Sequence, residues 1–145
     1  MLEIRKIYQT DTLPTWFEEK RWKDAKTKNY LDKPENFYVI SDDQKIIGAA
    51  QIVYRNCTKE HHLGSLYIEE KYRGKKLGQK LIQKLLKNTN AKNIYLDTSK
   101  PYLNKYYSKL GFTELKNNLK VFQKELLIRH PEKDIEKQIF MVCEL

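Results

Sequence analysis

At 145 residues the chain has the length of one domain, and a single domain over 1–145 is expected, large enough to bury a core without disulfide or metal staples. No apolar run approaches the ~20 residues that cross a bilayer, and the opening Met1-Leu-Glu-Ile-Arg lacks the apolar stretch of a signal peptide, so a cytoplasmic protein with no membrane partner is expected. The formal charge of +9 and pI near 9.4 suit an anionic ligand, but the basic residues are spread along the chain rather than massed, which disfavours nucleic acid.

In chain order, residues 2–8 alternate apolar and polar positions and read as a strand. Asp11 and Thr12 are candidate helix caps. Thr15 and Glu18 have capping-box spacing ahead of a helix expected to run to about Lys28, with Leu13, Trp16 and Phe17 on its buried face. Residues 37–41 and 45–54 are β-rich runs joined by Asp42-Asp-Gln44, the pattern of an antiparallel hairpin. Gly48-Ala-Ala50 narrows the second strand, which is read as room for a packed helix. Cys57 and Cys143 match no metal spacing, so both are read as reduced structural residues and no metal site is expected.

A further strand, 61–68, feeds Tyr72-Arg-Gly-Lys-Lys-Leu-Gly78. A strand that stops at Ile68 and a helix that starts near Gly74 leave a turn rich in backbone N–H groups, and Arg73, Lys75 and Lys76 add positive charge. That composition describes a phosphate cradle, and it equally describes a solvated turn. Leu77, Leu81, Ile82, Leu85 and Leu86 then fall on one helical face, the helix stops at Asn88-Thr-Asn, and 92–97 reads as a strand. The unit is a βαβ crossover, which favours parallel pairing of its strands. Ser99 is placed to cap the next helix, Pro101 fits its first turn, and Gly111 is placed to end it in a left-handed conformation, with Leu103, Tyr106, Tyr107 and Leu110 facing inward or lining an opening. Residues 112–116 and 137–145 read as strands. Between them Leu119, Phe122 and Leu126 are helix-spaced, while Val121 and Leu126-Leu-Ile128 read as β, and strand extensions around a loop at His130-Pro131 are expected. The whole pattern is α+β.

Tyr72-Arg-Gly-Lys-Lys-Leu-Gly78 after a strand, followed downstream by Tyr107-Ser-Lys-Leu-Gly-Phe112, resembles the GNAT superfamily of acyl-CoA-dependent N-acetyltransferases. Arg73 and Gly78 meet the family pattern Arg/Gln-x-x-Gly-x-Gly/Ala, and the second segment meets its Tyr-x-x-x-Gly-Phe helix end; the resemblance covers about residues 37–112. It implies a mixed, mostly antiparallel central sheet with a splayed parallel strand pair, 63–68 and 94–98, and helices on both faces. There are departures. Lys76 stands where the family most often has its first motif glycine, so its backbone must keep a negative φ or tolerate strain. Lys100 stands where many members have an asparagine that bonds the pantetheine arm.

The resemblance implies acetyl-CoA as acyl donor and direct attack by an amine through a tetrahedral intermediate. On that pattern Leu66, Tyr67 and Ile68 lie along the pantetheine, and the Ile68 amide polarises the thioester carbonyl. The amides of Arg73, Gly74, Lys75, Lys76, Leu77 and Gly78 hold the pyrophosphate. Lys100, Asn104 and Tyr107 complete the cofactor set, and Tyr107 protonates the departing thiolate. Glu60, His61 and His62, at the start of the strand before the turn, are candidates for base or water relay. Glu69 and Glu70 are expected to face solvent. The acceptor is a small molecule or a protein amine, and the chain a monomer or homodimer. Two other readings stand beside this one: a catalytically idle acyl-CoA-binding module, and a basic nucleic-acid or ribosome-associated domain that rests on charge alone.

Overall fold

The computed structural model describes residues 1–19 and 36–145. These fall into two compact units, the first made of Met1–Ile52 and Gly64–Asn90 and the second of Val53–Leu63 and Ala91–Leu145. The strands are β1 (Leu2–Lys6), β2 (Phe37–Asp42), β3 (Lys45–Arg55), β4 (Glu60–Ile68), β5 (Asn93–Thr98), β6 (Thr113–Glu114) and β7 (Ile139–Glu144). The described helices are α1 (Trp16–Glu19), α2 (Leu77–Asn88), α3 (Pro101–Ser108) and α4 (Leu119–Arg129). The strands form a seven-stranded sheet in the order β1-β2-β3-β4-β5-β7-β6. Pairs β1–β2, β2–β3, β5–β7 and β6–β7 are antiparallel and β4–β5 is parallel, so the expected mixed α+β sheet with one parallel pair is present. No helix among the described residues is long and apolar enough to cross a membrane.

In the first unit the hairpin closes with Asp42 opposite Lys45, and Asp43 and Gln44 at φ 47° and 74°. Positive φ at both central residues is the turn whose twist matches the flanking strands. Ile7, Trp16, Phe17, Phe37, Val39, Ile46 and Ala49 form one core cluster, with Leu13 and Tyr67 packed against it. The inward face expected around α1 is therefore buried, while the continuation expected to about Lys28 lies outside the described residues. Asp11 does not cap that helix. Its carboxylate takes both Arg5 guanidinium nitrogens at 2.8 and 2.9 Å and accepts from the Tyr8 N–H at 2.6 Å, which closes the chain after β1. Helix α2 buries Leu77, Leu81, Ile82 and Leu85 and packs against β2. Gly48 makes room for a strand end rather than a helix. A Cβ there would come within 2.8 Å of Ile68 Cδ1 and 3.1 Å of the Tyr67 carbonyl oxygen.

In the second unit β5 pairs β7 from Asn93 opposite Glu144 to Thr98 opposite Ile139. The segment expected to extend as strands is instead α4. Its inward face carries Phe122 and Leu126, packed with Phe140, Tyr95, Leu115 and Leu119, and the same face buries charge. Glu125 is 4% exposed; it accepts from Arg129 Nε and lies 3.4 Å from Arg55 Nε, while Arg129 Nη2 reaches Asp97 at 3.1 Å. Positions 122, 125, 126 and 129 share a face only in a helix, which overrides the β preference of Leu127 and Ile128, both left exposed.

Truncating Glu125 would leave the Arg55 and Arg129 guanidiniums facing each other without their shared carboxylate. Glu125→Ala is expected to cost about 3–5 kcal/mol in urea denaturation, and Ile128→Ala on the outer face less than about 0.5 kcal/mol. Equal losses would remove the ion cluster from the account of why α4 docks.

Candidate active site

In the first unit the predicted cofactor residues converge at the end of β4. The peptide joining Ile68 and Glu69 is bonded on both sides: its carbonyl accepts from Arg73 Nε at 2.8 Å, and its N–H donates to the Ile47 carbonyl at 2.8 Å. The Arg73 guanidinium also lies 5.4 Å from the Tyr67 ring centre, and Leu66 is half-buried on the same strand. Glu69 is tied back rather than solvent-facing, accepting from Trp16 Nε1 at 3.1 Å with Lys45 Nζ at 3.9 Å, whereas Glu70 is exposed as expected. A single 3-10 turn, Glu70–Tyr72, follows, and the Tyr72 hydroxyl donates to Asp42 at 2.9 Å.

The turn beyond it is where the backbone opens. Arg73 drops out of the expected set of amide donors, because its N–H already bonds the Glu70 carbonyl at 3.1 Å. Gly74 has φ 82°, and nothing lies within 4 Å of where a Cβ would stand. Lys76 sits at φ 60°, so of the two outcomes open to it the strained one holds, at a cost of about 1–3 kcal/mol for a non-glycine residue. Helix α2 begins only at Leu77, its N-cap Lys76 makes no side-chain capping bond, and the first helical bond runs from Lys80 N–H to the Lys76 carbonyl. The N–H groups of Leu77, Gly78 and Gln79 therefore have no acceptor within the helix. Gln79 falls outside the set expected from the sequence, because the sequence pattern starts the helix near Gly74. A left-handed turn, an uncapped helix start and the exposed Lys75 and Lys76 fit a phosphate or pyrophosphate group.

The other predicted residues belong to the second unit. Lys100, not Ser99, is the residue before α3; its N–H donates to Thr98 Oγ1 at 3.1 Å and Pro101 opens the helix. Asn104 receives Ser108 Oγ on its carbonyl at 2.8 Å. Tyr107 is half-buried, edge-on to Tyr106 at 5.2 Å and to Phe112 at 5.8 Å. Burial, then Tyr106 and Asp97, push its phenol up to about 12. The Phe112 N–H bonds the Tyr107 carbonyl at 3.2 Å, the Gly111 N–H bonds that of Ser108 at 3.1 Å, and Gly111 has φ 100°. This is a Schellman helix end with its hydrophobic contact, so Tyr-x-x-x-Gly-Phe has a folding role apart from any chemistry.

Parallel pairing of β4 with β5 is confined to His61 with Ile94 and His62 with Tyr95. His62 is corrected from base or relay to core. It is 4% exposed, its Nε2 is 2.8 Å from Thr58 Oγ1, and its ring lies against Tyr95 and Phe122. Burial, with the Arg55, Arg129 and His61 charges, pushes its pKa down to about 3, which leaves a neutral and weak base. Glu60 opens β4 and is half-buried; Ile68 closes the same strand eight residues on. Among the described residues no cluster of His, Cys, Asp and Glu could hold a metal ion.

A family match spans most of this architecture: the Acetyltransferase (GNAT) family model matches residues 1–112, and the chain belongs to that family. No curated protein matches it. Among solved structures it is similar to a GNAT family acetyltransferase from Elizabethkingia anophelis with acetyl-CoA bound, at 18% identity and TM-score 0.64, over 99% of this chain and 98% of that one. It is also similar to a GNAT family acetyltransferase from Staphylococcus aureus MU50, at 22% identity and TM-score 0.57, over 100% and 99%. A third likeness is to N-acetylglutamate synthase from Neisseria gonorrhoeae complexed with coenzyme A and N-acetyl-glutamate, at 12% identity and TM-score 0.65; it covers 100% of this chain but 35% of the synthase. At these identities the likeness is one of fold.

The low pKa of His62 has a signed consequence. Below pH 6.5 the unfolded chain takes up a proton that the folded imidazole refuses until about pH 3, so stability falls as pH drops through that window. His62→Phe, which keeps an aromatic ring, is expected to reduce the slope of unfolding free energy against pH there by up to about 1.4 kcal/mol per pH unit. An unchanged slope in urea titrations from pH 7 to 4 would mean that the imidazole is protonated in the fold.

Proposed function

We propose that this chain transfers an acetyl group from acetyl-CoA to a primary amine by direct attack. The observation that carries the reading is the uncapped start of α2 behind a basic left-handed turn, in a member of the acetyltransferase family. The amides of Gly74, Lys75, Lys76, Leu77, Gly78 and Gln79 would hold the pyrophosphate, with Lys75 and Lys76 adding charge and Lys100 lying by the pantetheine arm. The Ile68 N–H would donate to the thioester oxygen as negative charge grows there. Arg73 is a positioning residue for that amide, since its guanidinium holds the Ile68 carbonyl.

Tyr107 would serve the departing thiolate. Its phenol stays neutral up to about pH 12, so the proton is always in place. Full transfer to a thiolate of pKa ~8.5 is uphill by about 5 kcal/mol, so the hydroxyl acts by hydrogen bonding to the charge as it develops. The amine must arrive neutral: at pH 7 that costs about 4.6 kcal/mol for a lysine-like amine but only ~1 for an α-amine near 7.8. With His62 buried and neutral, Glu60 and His61 remain as candidate bases, and an acceptor of low amine pKa asks least of them. A second reading, an acyl-CoA-binding module without turnover, shares the cradle and is motivated by Lys76, held at φ 60°, and by Lys100, the two departures from the family pattern.

Excess acetyl-CoA is expected to raise Tm at low salt, because it binds only the folded chain. Gly78→Glu, which brings bulk and negative charge to the helix start, should weaken binding at least tenfold, about 1.4 kcal/mol, in calorimetry with the fold intact. No rise in Tm would overturn both CoA readings, and unchanged affinity in Gly78→Glu would place the phosphates elsewhere.

Turnover separates the readings. With thiol release followed over a panel of amines and peptides, Tyr107→Phe is expected to lose roughly 10² in turnover while acetyl-CoA affinity holds, and Tyr106→Phe to stay near the parent. Near-normal turnover in Tyr107→Phe would leave that ring as packing at the helix end, and no release with any amine would favour the idle module.

A further inference from the structure

We infer that the cavity at the first turn of α4 is a binding site for a small zwitterion, a ligand of amino-acid type with an ammonium and a carboxylate on one apolar body. The cavity measures about 570 Å³ and lies wholly within the second unit. That is within the ~300–1,000 Å³ typical of small-molecule sites. Glu60 and Lys120 both line it, and they do not pair with each other. Neither side chain makes a hydrogen bond or ion pair among the described residues, although the neighbouring Glu125, Arg129, Arg55 and Asp97 are all joined in one cluster. Two unlike charges left unmatched on one concave surface favour a ligand that brings the complement of each.

Thr58 and Asn118 add polar groups to the lining, and the remaining wall residues are apolar or aromatic. Tyr95 and Phe122 stack at 4.6 Å and 30°, and Leu119 continues the surface. Asn118, in a left-handed conformation at φ 59°, turns the chain into α4 so that this helical turn forms one wall. The Tyr95 and Phe122 rings line the same cavity as Glu60, and aromatic rings attract cations. Glu60 is half-buried, so its attraction for an ammonium is less screened than at an open surface. A simple cation would leave Lys120 unmatched and a simple carboxylate would leave Glu60 unmatched. A zwitterion matches both.

The site is independent of acyl transfer, and its occupancy is measured without acetyl-CoA. The full chain, labelled with ¹⁵N, is titrated with leucine, with leucinamide, which keeps only the ammonium, and with 4-methylpentanoate, which keeps only the carboxylate. Leucine is expected to bind at least about tenfold more tightly than either analogue, moving the amide signals of Tyr95, Leu119 and Phe122. Glu60→Gln should weaken leucine and leucinamide but not 4-methylpentanoate, and Lys120→Gln should weaken leucine and 4-methylpentanoate but not leucinamide. Equal affinity for all three compounds, no shifts with leucine, or variants that leave leucine binding unchanged would each overturn the inference. Native-like spectra of both substitutions, at exposed or half-buried positions, keep a folding defect from imitating loss of the site.

Discussion

The end of β4 is fixed by a peptide group bonded on both of its sides, and the basic loop and α2 are built outward from that point. The carbonyl of the Ile68–Glu69 peptide takes the Arg73 guanidinium, and its N–H takes the Ile47 carbonyl of the neighbouring strand. A hydrogen bond from a charged donor is roughly twice as strong as a neutral one. The chain thus leaves the sheet in one direction only. Arg73 commits its Nε to the strand end and its amide to Glu70, so the turn is tied back to β4 before α2 begins. The motif arginine thus has a structural role at the strand end.

The second unit depends on a different constraint, the burial of charge. Burial and the nearby Arg129 hold Arg55 below its usual range, and Glu125 answers both guanidiniums from the inner face of α4. Removing one partner of a buried pair is strongly destabilising because it leaves a buried charge unmatched, so the cluster fixes which face of α4 turns inward. The same cations set the state of His62. A protonated imidazole beside them would be a further positive charge without a carboxylate of its own, so the ring remains neutral and packs as an aromatic.

Much of this is legible in the sequence wherever local chemistry dictates the outcome. The Asp43-Gln44 turn, the leucine face of α2 and the Gly111 helix end follow from neighbours a few residues away, and all are found as expected. The family pattern marks the basic loop from sequence alone. What is hidden depends on partners distant in the chain. Where strand extensions around His130-Pro131 are expected, α4 forms, because its inward positions include Glu125 and Arg129, which an apolar periodicity does not count and whose partners are Arg55 and Asp97. His62 reads as a candidate base or water relay because nothing near it in sequence announces Tyr95 and Phe122. Gln79 escapes the sequence pattern because the helix start, and hence the last unbonded amide, lies three residues further on.

Gly48 illustrates how a position can matter through what it lacks. Glycine inside a strand is locally unfavourable, by about 0.5–1 kcal/mol, and the space left by its missing side chain is taken by Ile68 and the Tyr67 carbonyl. Alanine scanning infers a residue's importance by trimming atoms away, but here the scan adds one. A loss of function recorded at position 48 would then be credited to a contact that the residue never makes, when its contribution is to let its neighbours approach.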